Sequence, residues 1–100
     1  MKILVTEQAE SSLNEALLFL VATGASITLA ERIAERIYRR ILQLKKFPRS
    51  GSVETYLSEL GQNHRYLVEG NYKIIYFISG KTVYVTDVFD VRQDPARMKG

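Results

Sequence analysis

The chain has 100 residues, enough for one domain and one main hydrophobic core. Fourteen Lys and Arg against eleven Asp and Glu give a formal charge of +3, a mild excess that permits an anionic partner without demanding one. With no cysteine and one histidine, disulfides and thiolate or multi-histidine metal sites are excluded, and neither metal nor cofactor is expected.

Lys2–Val5 is a short β-prone run, too short for a secretory signal, and it is expected as a strand beside a later sheet. Thr6 is placed to cap a helix whose first turn holds Glu7 and Glu10. Ala9, Leu13, Ala16, Leu17, Leu20 and Val21 follow at helical spacing, and Gly24 is a natural stop. Residues 16 to 30 carry no charge but fall short of a membrane span, and Thr23, Gly24, Ser26 and Thr28 interrupt them. A second helix is expected to start near Ser26 to Thr28, with Thr28 and Glu31 at capping-box spacing. Its apolar stripe is Ala30, Ile33, Ala34, Ile37, Ile41 and Leu44; its other side is charged, and Phe47-Pro48 should end it. The basic end of this helix, Arg39, Arg40, Lys45 and Lys46, reads as a solvated face or as a surface for nucleic acid. The short link makes the two helices antiparallel neighbours.

Ser50, Gly51 and Ser52 mark a loop, and Val53–Leu60 reads either as a helical turn or as a short extended piece. Three β-prone runs follow: Tyr66–Val68, Tyr72–Ile78 and Val83–Phe89. Gly70-Asn71 and Gly80-Lys81 separate them as tight turns, so they form an antiparallel meander. The middle run is apolar on both parities, as expected of a central strand covered on both faces. Tyr72 and Tyr76 then read as core, whereas Tyr84 is freer. Asp94-Pro95 marks a turn, after which the last residues are expected to fray or to dock on a partner. The expected architecture is α+β: an N-terminal strand and a helical hairpin packed on a small antiparallel sheet. The other sheet face and the hairpin are left with exposed apolar surface.

The order and spacing of Leu44, Pro48, Gly51, Leu60-Gly61, Arg65, Tyr72, Ile74, Tyr76, Val83, Val85, Val88, Arg92 and Asp94-Pro95 resemble the RelE/ParE superfamily of toxins. The resemblance spans nearly the whole chain as one domain. It implies a cytoplasmic type II (plasmid-stabilisation) toxin held silent by an antitoxin, with which it would form a hetero-oligomer. That antitoxin is expected to present an acidic segment that folds on binding. RelE-like relatives cut messenger RNA on the ribosome, and ParE-like relatives poison DNA gyrase. A third possibility is an inert interaction module of the same fold.

Metal-independent RNA cleavage needs a base, an acid and cations on the phosphate. The resemblance points to Arg65 and Arg92 as the cations, since a planar guanidinium grips two phosphate oxygens. Asp90 stands where many relatives carry histidine; it reads as a base or, better, as a partner for Arg92. Lys73, Lys81, His64 and Tyr84 are candidates for contact with nucleic acid or target. His64 has the pKa for proton transfer but reads better as a surface or strand-end residue. RelE-like nucleases often carry a tyrosine in the tail, whereas no tyrosine follows Arg92. The tail and the long hairpin put the ParE-like branch ahead.

Overall fold

The computed structural model describes residues 1–100. Five strands form one sheet in the order β1-β5-β4-β3-β2: β1 (Lys2–Val5), β2 (Ser52–Val53), β3 (Arg65–Glu69), β4 (Tyr72–Ser79) and β5 (Thr82–Asp90). The meander β3-β4-β5 is antiparallel, and β2 extends it antiparallel to β3. β1 lies parallel to β5, with Ile3 opposite Val83 and Val5 opposite Val85. The sheet is therefore mixed, with its parallel pair at one edge. Gly70 and Gly80 open the two hairpin loops with φ of +58° and +59°, a backbone that glycine adopts without steric cost.

Helices α1 (Glu7–Ala22) and α2 (Ile27–Gln43) cover one face of the sheet. Thr6 caps α1 by accepting from the Ala9 N–H at 3.1 Å. The helix closes in a Schellman motif: Gly24 N–H donates to Val21 O at 3.1 Å and Ala25 N–H to Leu20 O at 3.0 Å. The cap of α2 is Ser26, which accepts from the Leu29 N–H at 3.0 Å. That corrects the expected Thr28–Glu31 box, because both residues already lie inside the first turns. α2 also ends earlier than Phe47-Pro48 implied. Leu44 is its cap, and turns continue through Lys46.

The expected stripe of α2 is inward, with Ala30, Ile37, Ile41 and Leu44 buried. Ile37, Ile41 and Leu44 meet Ala9 and Leu13 of α1 and Tyr72, Ile74, Tyr76, Val83, Val85 and Val88 of the sheet. Val21 of the predicted α1 stripe is instead exposed. The step from Val85 to Val88 breaks strict alternation because Ile75 pairs with Asp87 and Tyr76 with Val85. Thr86 is thus the extra residue of a bulge, and it moves the inward parity by one.

The other face of the sheet is not open, as had been expected. A second cluster of Leu57, Ile75, Phe89 and Met98 packs there, with Tyr66 beside it. Both readings of Val53–Leu60 are realised: β2 ends at Val53, and Thr55–Leu60 is a 3₁₀ helix that supplies Leu57. The C-terminal residues do not fray; they dock on the chain itself. A 3₁₀ turn at Pro95–Arg97 brings Met98 into this cluster, and the Lys99 N–H donates to Asp87 Oδ2 at 3.0 Å. β4, central and covered on both faces, buries Ile74, Ile75 and Tyr76 completely.

Candidate functional site

Arg65 opens β3 and is half-buried. Its Nη1 donates to Gly51 O at 2.8 Å and to Arg49 O at 3.4 Å, tying the loop after α2 to the sheet. Gly51 N–H donates in turn to the Tyr76 hydroxyl at 2.9 Å. A Cβ on Gly51 would stand 2.6 Å from that hydroxyl and 2.7 Å from Tyr66 O, so the approach requires glycine. Burial pushes the Tyr76 phenol above its ordinary pKa; the Gly51 hydrogen bond and the Arg65 charge oppose the shift.

Arg92 follows β5 and is exposed, but its fork is occupied. Nε donates to Asp90 Oδ1 at 2.9 Å and Nη2 to Asp90 Oδ2 at 2.7 Å, and the Arg92 N–H adds a third bond to Oδ1 at 2.9 Å. The Arg92 side-chain hydrogen bonds hold the Asp90 carboxyl below its ordinary pKa, against the opposing effect of burial. The same bonds raise Arg92 above its ordinary value. A carboxylate so stabilised in its charged form is a weak proton acceptor. Beside it, the buried Tyr72 phenol is pushed up first by burial and then by the Asp90 charge.

The two arginines do not converge. Arg65 lies opposite Tyr76 on one side of β4, and Asp90 lies opposite Tyr72 on the other. Tyr72 and Tyr76 are four residues apart on the strand, roughly 13 Å, and Arg92 lies two residues further out. Arg65 and Arg92, the two cations expected from the resemblance, thus stand at separate places on the sheet.

His64 stands at the strand end, one of its two expected readings, but it is buried, at 1% exposure, and not on the surface. Its ring meets Phe77 edge-on at 5.2 Å, and neither ring nitrogen has a hydrogen-bond partner in the protein. Gly100 packs against it so closely that a Cβ there would fall 2.8 Å from Nε2. Burial without a partner lowers its pKa. Lys73 shares this side of the sheet and is committed internally. Its Nζ pairs with Glu54 at 2.8 Å and sits 4.1 Å over the Tyr66 ring. Tyr84 is half-buried and stacks on Phe77 at 5.1 Å. Lys81 is exposed in the β4–β5 turn.

Sequence reasoning did not single out Glu54, the buried carboxylate that holds Lys73. It lies in the stretch left undecided, and nothing local in the sequence announces the pairing. Also unanticipated is a cleft of about 550 Å³ between α1, the end of β5 and the tail, with Glu15, Phe19, Asp90 and Arg97 among its walls. No three His, Asp or Glu side chains are grouped to hold a metal ion. No helix is long and apolar enough to cross a membrane. Arg65, Asp90 with Arg92, Lys73 and His64 are thus each engaged or enclosed within the fold, at separate places on the sheet.

The sequence matches the family model of the ParE toxin of type II toxin–antitoxin system, parDE, over residues 3–95. No curated protein sequence matches. Among solved structures, the fold is similar to a chain of the chromosomal ParDE TA system from P. aeruginosa, with a TM-score of 0.75 at 17% identity. The match covers 91% of this chain and 96% of that one. With 93 of its 100 residues inside the family model, the chain belongs to the ParE toxin family of type II toxin–antitoxin systems.

Proposed function

We propose that this toxin arrests growth by inhibiting DNA gyrase, by binding rather than by nuclease chemistry, and that a cognate antitoxin neutralises it in the cytoplasm as a hetero-oligomer. The observation that carries the reading is the dispersal of the acid–base candidates. Arg65 braces a loop, Asp90 is locked to Arg92, and His64 is enclosed against Phe77. Ribosome-dependent cleavage needs those functions at one phosphate. A protein partner is supported by the helical hairpin, where Leu18 (70% exposed), Phe19 (62%) and Ile27 (67%) stand in solvent. An acidic antitoxin segment that folds on binding suits a chain of positive net charge.

The test is controlled induction in a susceptible bacterium, together with purified gyrase in a supercoiling assay. DNA synthesis should fail first, with filamentation and a DNA-damage response, and supercoiling should be inhibited in vitro. An immediate stop in translation with cut messages would overturn the proposal in favour of ribosome-dependent RNA cleavage. Undisturbed growth would leave an inert module.

A further inference from the structure

The net charge of +3 hides a strong asymmetry. Residues 32–49 hold seven of the fourteen cations and one of the eleven acids, so this band carries +6 and the rest of the chain −3. Arg32, Arg36 and Arg39 follow one another a turn apart along α2, with steps of about 5 to 6 Å at the rise of an α-helix. They point away from the buried stripe of Ala30, Ile37 and Ile41, and Lys45, Lys46 and Arg49 continue the exposed charge past the helix end. The helix dipole accounts for cations near the last turn but not for Arg32 and Arg36, which lie in the first ten residues of α2. Neither has a carboxylate partner. Arg39 meets only Glu35, at 3.8 Å with both side chains mostly in water, a contact of small energy.

We propose that this band is a binding surface for the phosphate backbone of duplex DNA. A regular row of guanidinium groups suits a polyanion of regular spacing. An acidic amphipathic peptide fits the row less well, because it needs apolar contacts. On α2 the exposed Tyr38 and Leu42 share a groove with Arg39 but also with Glu31 and Glu35, whose charges repel an acidic peptide. The choice of DNA over RNA rests on the gyrase reading, since gyrase presents DNA; the band itself does not.

The test is fluorescence anisotropy of a labelled duplex with the purified toxin across a salt series. Neutralising about four phosphates predicts a log K against log salt slope of about −3 to −4. The exposed triple variant Arg32→Gln/Arg36→Gln/Arg39→Gln should keep its unfolding midpoint and bind about tenfold or more weakly near 0.1 M salt. Arg97→Gln/Lys99→Gln, on the tail, lowers net charge elsewhere and should bind as the parent does. Equal losses in both variants would overturn the proposal, as would tighter binding to RNA, to anionic vesicles or to polyglutamate of equal charge. Absence of DNA binding with gyrase inhibition intact sinks this inference alone. DNA binding without gyrase inhibition sinks the proposed target alone.

Discussion

A buried imidazole with both nitrogens unbonded is stable only while neutral, and this ties His64 to pH. Its folded pKa is depressed below 6.5 by burial, whereas the unfolded chain regains the ordinary value. Above both values neither state is protonated and stability is flat. As pH falls below about 6.5 the unfolded state takes up a proton that the folded state refuses, so stability drops until the folded pKa is passed. Asp90 acts in a separate window. Its depressed folded pKa contributes stability above 3.8, which is lost as pH falls through the lower folded value. Urea unfolding of the parent should therefore show a falling midpoint between pH 7 and 5, and His64→Gln should flatten that limb. A limb unchanged in the variant would mean that His64 is accessible to protons when folded. At this scale the sequence showed which side chains had chemical capacity, and it showed Asp90 as the neighbour suited to Arg92. It did not show that Arg65 is held by Gly51 or that Gly100 encloses His64. Those contacts join positions 14 and 36 residues apart, and no local pattern encodes them.

The elements were legible where their signals are local. The α2 stripe, the Thr6 cap, the Gly24 stop and the two glycine turns depend on spacing within a few residues, and the structure realises each of them. The parallel placement of β1 was not legible, because a strand of four residues carries no mark of its partner's direction. The bulge at Thr86 was equally hidden, since its cause is the pairing of β5 with β4. The choice between Ser26 and Thr28 as cap turned on the entry angle of the chain. Ser26 has the extended backbone of a cap, with φ −72° and ψ 153°, whereas Thr28 is helical. Ser26→Ala should thus cost about 1 kcal/mol in urea unfolding, while Thr28→Ala, at an exposed helical position, should fall within about 0.5 kcal/mol of the parent. The reverse ranking would restore the Thr28–Glu31 box.

The whole molecule is a sheet between two unequal cores, which fits the apolar character of β4 on both parities. The larger core is closed by helices whose periodicity can be read directly. The smaller is closed by Leu57 from a 3₁₀ helix and Met98 from the tail, segments too short and too polar to announce a buried face. A frayed tail was the natural reading of Asp94 to Gly100, because Met98 touches residues from 9 to 41 positions earlier in the chain. The two closures differ in how firmly they are held. The tail is fixed by Met98, by the Lys99 N–H on Asp87 at 3.0 Å and by Gln8 Nε2 reaching Gly100 O at 3.5 Å, whereas α1 and α2 supply most of the main core. Met98→Ala should therefore cost about 2 kcal/mol or somewhat more, from lost burial and a partly collapsed cavity. Its effect should be regional: faster hydrogen exchange in the tail and around Ile75 and Phe89, with α1 and α2 still protected. Leu13→Ala, in the helical core, should cost about 3 kcal/mol and raise exchange throughout, since its loss weakens the layer on which the sheet rests. If Met98→Ala instead left both stability and exchange at the parent's level, the tail would be a surface strand of chain with no part in the second core, and His64 would lose its cover with it.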